Sequence, residues 1–421
     1  MDLKPLILPL RGSRLLLRED GKTRGKSGMS TTTPPQSKHT GALVLADGTV
    51  LLGTGIGKAG HAVGEVCFNT AMTGYQEVLT DPSYMGQIVT FTFPHIGNVG
   101  TNDQDLEGFQ GPDCAAYGAI FRDVPTPPSN WRQTSTLDQW LAKRGLVALA
   151  GVDTRALTAR IRDQGMPHGV IAHAPDGQFE FEALLEAAHA WTGIKGQDLA
   201  IAATATETYH PAEGRWQSHG YETLPEARHH VVVIDYGAKR NIPRALTALG
   251  AKVTVVPAKT SAEAIMALRP DGVVLSNGPG DPAATGTYAG PVIEQFIGEN
   301  LPVFGICLGH QMLAQVLGCK TVKMLQGHHG ANHPVKDLKT GQVEIVSMNH
   351  GFAVDQATLP DSVEETHVSL FDGSNCGIAL KGRPVFSVQH HPEGAPGPHD
   401  SLYMFQRFLD ACVEHKTAVM A

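Results

Sequence analysis

Cys307 stands between two glycines in Gly305-Ile306-Cys307-Leu308-Gly309. The apolar run Pro302-Val303-Phe304 precedes it, and Gln311-Met312-Leu313-Ala314-Gln315-Val316-Leu317, with helical spacing, follows. Gly-x-Cys-x-Gly between a strand and a helix reads as a nucleophile elbow with cysteine in the serine position. The turn is so tight that only small flanking residues fit. It holds the sulfur at the positive end of a helix, which favours thiolate over thiol. A thiolate so placed suits covalent attack on a carbonyl carbon. Far down the chain, the strand-like Pro384-Val385-Phe386-Ser387-Val388-Gln389 delivers His390-His391-Pro392-Glu393 at its end. A Cys–His pair supplies nucleophile and proton shuttle, and Glu393 would fix the imidazole tautomer and steady the imidazolium. The turn Asn277-Gly278-Pro279-Gly280 offers amides that no Cβ obstructs; that of Gly278, with the amide of Leu308, would stabilise an oxyanion.

Cys307 and His391 can meet only in the fold, so the elements that carry them matter. From His230 onward, β-branched apolar runs alternate with helical ones: His230–Asp235, the helix 242–249, Lys252–Pro257, the helix 262–268, Asp271–Ser276, the helix 291–297 and Pro302–Ile306. That alternation argues for a parallel sheet covered on both faces, with functional loops at the carboxyl ends of its strands. The first half differs. Gly41–Leu45 and Thr49–Gly53 read as a hairpin around Asp47-Gly48, and Glu65–Asn69 and Gln87–Phe93 as further strands. The segments 137–142 and 153–161 look helical, with Asp153 as an N-cap. The chain is therefore read as α/β, with a C-terminal parallel-sheet domain carrying helices on both faces and a separate mixed, β-rich N-terminal domain. The expected division is a tail over 1–40, an N-terminal domain over 41–195, a linker over 196–228 and a second domain over 229–421.

With 421 residues the chain is long enough for two cores. A net charge of -8 leaves no basic footprint for nucleic acid. No apolar run approaches the ~20 residues of a membrane helix. The cysteines are scattered without a CxxC pair, so they read as reduced cytosolic thiols, neither disulfide framework nor zinc site. The first 38 residues carry eight basic against three acidic side chains. The plain expectation is a disordered tail ahead of a start at Met29, with an organellar transit peptide as the alternative. His328, His329 and His333 lack the pitch and the accompanying carboxylate or cysteine of a metal set, and are expected on a rigid loop at a domain or subunit surface. Neither Asn277-Gly278-Pro279-Gly280 nor Gly55-Ile56-Gly57-Lys58 has the Gly-Lys-Ser/Thr of a nucleotide phosphate loop.

Ser276-Asn277-Gly278-Pro279-Gly280-Asp281-Pro282, Gly305-Ile306-Cys307-Leu308-Gly309-His310-Gln311 and His391-Pro392-Glu393 together resemble the class I glutamine amidotransferases. Within that group, 68–77, 80–84 and 94–100 are similar to the amino-terminal domain of the carbamoyl phosphate synthetase small-subunit family. The stretches 327–334 and 349–355 resemble that family's version of the amidotransferase domain. The resemblance runs from about Gly41 to the C-terminus.

It implies that Cys307 attacks the carboxamide of L-glutamine, that His391 protonates departing ammonia and then activates water, and that Glu393 orients His391. Ser83, Gly278, Gly280, Leu308, Gln311, Asn349, Gly351 and Phe352 match the family's glutamine-holding positions. Ser83 lies in the other domain, so the site would be capped across the domain interface. His390 stands where relatives often carry Gly or Tyr; the alignment still selects His391, because it immediately precedes Pro392-Glu393. The resemblance implies a cytoplasmic heterodimer with a large synthetase subunit that receives ammonia through a tunnel and makes carbamoyl phosphate from bicarbonate and ATP. No cofactor or metal is implied in this chain; ATP and Mg are expected in the partner. The product's destination, pyrimidines, arginine or both, stays open. Alternatives are the glutaminase subunit of another synthase, a stand-alone cysteine hydrolase, and a non-catalytic scaffold, which the intact Cys307, His391 and Glu393 disfavour.

Overall fold

Asp47-Gly48 closes the predicted hairpin: β1 (Gly41–Leu45) pairs antiparallel with β2 (Val50–Gly57), and Gly48 takes φ +83. The Thr49 amide donates to Asp47 Oδ1 at 3.0 Å, which fixes the turn. This computed structural model of the chain describes residues 39–108 and 111–420; the expected tail over residues 1–38 lies outside the described residues. Five more strands follow in the first half: β3 (Gly60–Asn69), β4 (Gln87–Phe91), β5 (Gly118–Ile120), β6 (Val147–Ala150) and β7 (His168–His173). They close a barrel in the order β1-β2-β6-β5-β4-β3-β7. Leu43, Val66, Ile88, Ile120, Leu149 and Ile171, from six of its strands, pack together inside it. Alternate residues such as Cys67, Val89 and Ala148 join a second cluster under the helix Leu137–Lys143. Asp153 caps the helix Thr154–Gln164, accepting from the Ala156 amide at 3.0 Å.

The stretch 196–228 contains the short helix Ala200–Ala203 and a two-strand hairpin of β8 (Trp216–Gln217) and β9 (Gly220–Tyr221). Beyond it, β10 (His229–Asp235), β11 (Ala251–Pro257), β12 (Gly272–Leu275) and β13 (Val303–Ile306) form the predicted parallel sheet. Its two faces show in the alternation: Val231, Val233, Val274 and Phe304 enter one cluster, and Val232, Ile234, Val273 and Val303 the other. The helix expected from 291 in fact runs Pro282–Gly298. Asp281 caps it, Pro282 occupies its first turn, and Pro291 sits inside it, so only one of its two prolines marks the start.

The sheet does not stop at parallel strands. β14 (Thr321–Asp337), β15 (Val343–Val354), β16 (Val363–Ser369) and β17 (Asn375–Leu380) extend it antiparallel beyond β18 (Val385–Val388), in the order β11-β10-β12-β13-β18-β17-β16-β14-β15. The expected surface loop around His328, His329 and His333 is therefore corrected. All three are buried on β14, whose register shifts between Lys323 and His328 and between Gly330 and His333. These shifts break the alternation that would mark a strand in the sequence. β14 and β15 also bring the second domain against the barrel: the Thr70 amide donates to the His329 carbonyl at 3.1 Å, and Asn349 Nδ2 to Asp81 Oδ2 at 3.0 Å.

Candidate active site

β13 ends at Ile306, the helix Leu308–Val316 starts two residues on, and Cys307 makes the whole turn. It has φ +52 and ψ -101, one of three non-glycine residues at positive φ among the described residues. Such a backbone costs about 1–3 kcal/mol and persists only where its surroundings enforce it. The enforcement is visible. A Cβ on Gly309 would come 2.2 Å from the Leu275 carbonyl oxygen, and one on Gly305 2.8 Å from that of Gly309. The Cys307 amide donates to the Val388 carbonyl at 2.9 Å, which ties the elbow to the end of β18. The thiol is buried, with Sγ 3.5 Å from the Asn349 carbonyl oxygen.

The end of β18 carries His391 beside the elbow, anchored by its amide on the Ser347 carbonyl at 2.9 Å. His391 Nδ1 donates to Glu393 Oε1 at 2.7 Å, and Lys239 Nζ reaches the same oxygen at 2.9 Å. All three side chains are buried. Burial alone would discharge each of them, but their mutual attraction outweighs it. The Glu393 carboxylate holds the His391 imidazole above its ordinary value; Lys239 and His391 hold Glu393 well below the carboxylate range. Glu393, Asp81 and Glu107 keep Lys239 charged. Lys239 was not foreseen. It follows β10, where Asp235 Oδ1 accepts from the Gly237 and Ala238 amides and Asn277 Oδ1 from the Lys239 amide. His390 has none of this. Its ring is buried 5.7 Å from that of His367, has no hydrogen-bond partner among the described residues, and is pushed to the neutral form by burial.

In front of Cys307 lies a pocket whose walls include Ser83, Gly278, Gly280, Gln311, Asn349, Gly351 and Phe352. Of the predicted positions, Leu308, His391 and Glu393 are not on its walls. As first residue of its helix, Leu308 keeps an amide with no intrahelical acceptor. Gln311 is fixed by its Nε2, which donates to the Phe352 carbonyl at 2.7 Å and to Gln389 Oε1 at 3.0 Å. Ser83 is held from both domains: Asp81 Oδ1 accepts from its amide at 2.9 Å, and Asn277 Nδ2 donates to its Oγ at 2.8 Å. Gly280 has φ +98, and a Cβ there would come 2.7 Å from the Gln197 carbonyl oxygen. Pro279, Gln87, Ile194, Lys323, His329 and His350 complete the walls, and sequence reasoning missed the last five. Burial keeps both histidines neutral. Among the described residues no group of three or more His, Cys, Asp and Glu is arranged to hold a metal ion. Burial also raises the thiols of Cys67, Cys376 and Cys412, which makes them poor nucleophiles.

Residues 43–171 match the family model of the carbamoyl-phosphate synthase small chain, CPSase domain, and residues 232–411 that of the class-I glutamine amidotransferases. The carbamoyl phosphate synthase small chain of Caulobacter vibrioides is 67% identical over 371 residues, covering 88% of this chain and 96% of its own length. That of Mesorhizobium japonicum is 63% identical over 381 residues, covering 90% and 96%. Among solved structures, a glutamine amidotransferase from Thermotoga maritima aligns with a TM-score of 0.37 at 18% identity, over 44% of this chain and 98% of its own.

Proposed function

The chain belongs to the carbamoyl phosphate synthase small-chain family and carries a class I glutamine amidotransferase domain, and from that premise we propose that it hydrolyses glutamine by Cys-His-Glu thioester chemistry. The observation that carries this reading is the strained, buried Cys307 beside an imidazole charged by Glu393. The Cys307 thiolate attacks the γ-carboxamide carbon, and the tetrahedral oxyanion lies against the amides of Gly278 and Leu308. His391 gives its proton to the departing nitrogen, so ammonia leaves neutral and a γ-glutamyl thioester remains. His391 then takes a proton from water, hydroxide attacks the thioester, and the intermediate collapses to glutamate and thiolate. Glu393, held by Lys239, keeps Nδ1 protonated and Nε2 turned to the reaction.

Ammonia then passes to a large synthetase subunit in a heterodimer, where it meets bicarbonate and ATP; ATP and Mg are assigned to that partner. The free cysteines fit a reducing compartment such as the cytoplasm. No helix among the described residues is long and apolar enough to cross a membrane. The test is a glutaminase assay of the purified chain with and without a co-expressed large chain. Glutamate release that rises with the partner and yields carbamoyl phosphate supports the reading. Glutamate release indifferent to the partner would instead fit a stand-alone hydrolase.

A further inference from the structure

Glutamine is a zwitterion, yet the eight substrate positions read from the sequence are uncharged. Among the described residues that line the pocket, Lys323 is the one with a fixed charge. We propose that Lys323 reads the α-carboxylate of glutamine and that Glu65, from the barrel, sets its position; this inference rests on the glutaminase reading above.

The strand pairing and the contacts of Nζ bound the distance. Lys323 pairs with Phe352 across β14 and β15, whereas the Cys307 sulfur touches the Asn349 carbonyl. Nζ lies against Gly351 and the Phe352 ring, two to three residues from Asn349, which along a strand span about 7–10 Å. From carboxamide carbon to carboxylate carbon, extended glutamine covers about 5 Å. The bond to sulfur at one end and the ion pair to Nζ at the other take up the rest. The ammonium is also prepared for an anion. Lys323 Nζ donates to Glu65 Oε1 at 2.9 Å, and Gln87 Nε2 donates to the same oxygen at 3.1 Å. That leaves two of its three N–H groups for a ligand. The Phe352 ring centroid lies 5.0 Å from Nζ, which steadies the cation. A Cβ on Gly351 would come 3.0 Å from Nζ, so glycine there keeps the space in front of the ammonium open. A carboxylate leaving water needs such a charged partner.

The test compares glutamine with γ-aminobutyramide, which keeps the carboxamide and amine but lacks the carboxylate, as a substrate or as a competitor of glutamine hydrolysis. Both are measured on the complex with the large chain, wild type and Lys323→Met. The variant should raise KM for glutamine by about 10- to 100-fold. Its kcat for glutamine, and its affinity for γ-aminobutyramide, should stay within about threefold. Lys323→Arg should recover part of the loss. Equal losses on both compounds would make Lys323 a structural tie between domains and overturn the proposal, as would an unchanged KM for glutamine. Synthesis from free ammonia reports that the complex is folded. A wild-type complex that does not hydrolyse glutamine would remove the glutaminase reading itself, before any variant is made.

Discussion

Lys239 Nζ and His391 Nδ1 converge on one oxygen, Oε1 of Glu393, at 2.9 and 2.7 Å. Three buried groups thus share a net single positive charge: Glu393 holds both cations charged against burial and against Lys239's repulsion of His391, and the two cations hold Glu393 ionised. Glu393→Gln should cost about 10²- to 10⁴-fold in kcat, because the imidazole loses both its orientation and its counter-charge. It should also leave Lys239 buried without its nearest anion, at about 3–5 kcal/mol of stability. Steady-state kinetics and denaturant unfolding of the same variant check both halves. Lost activity with unchanged stability would mean that Lys239 is solvated or paired elsewhere.

The same network sets a pH dependence of stability. His391 is held above its unfolded value of about 6.5, so its charge contributes fully below that pH and the contribution fades as pH rises through the raised folded value. Glu393 is held below its unfolded value of about 4.3, so its contribution is full above that pH and is lost only in stronger acid. The stability gap between wild type and His391→Asn should therefore be widest near pH 6 and narrow toward pH 9. Urea unfolding across that range decides it, and a gap that widens with pH would invert the assignment.

His390 and His391 are neighbours with opposite surroundings. His391→Asn should lower glutamine turnover by several orders of magnitude, because the proton shuttle is removed. His390→Gly should leave kcat within about tenfold, since its buried ring touches neither Cys307 nor Glu393 in any hydrogen bond. A more damaging His390→Gly would move the shuttle to the wrong neighbour.

The elbow stores strain at Cys307, φ +52. Cys307→Gly should be about 1 kcal/mol more stable than Cys307→Ala, although both are inactive, because glycine alone adopts that backbone freely. The reverse order in thermal or denaturant unfolding would mean that the turn is unstrained.

The elbow was legible because its causes are local: Gly305 and Gly309 are the residues whose missing Cβ atoms let the helix fold back on Leu275. The parallel strands were legible because each buries both faces and so reads as an unbroken apolar run. β14 was not. Its buried histidines and register shifts give a glycine- and histidine-rich stretch with no period, and only pairing with β15 and β16 makes it a strand. Closure of the barrel depends on β1 meeting β7, a contact no local pattern announces. Lys239 and Lys323 were missed for a related reason. Each acquires its setting from a carboxylate distant in sequence, Glu393 and Glu65 respectively, and a lysine with no local partner looks like any surface lysine.

The most direct test separates the chemistry of this chain from that of its partner. Cys307→Ser keeps the fold and the size of the side chain but removes the nucleophile. In the reconstituted complex, carbamoyl phosphate synthesis is measured once with glutamine and once with free ammonia as nitrogen source. Synthesis from glutamine should be abolished and synthesis from ammonia should remain near the wild-type rate. Near-normal use of glutamine by the variant would contradict Cys307 as the nucleophile and the thioester route with it.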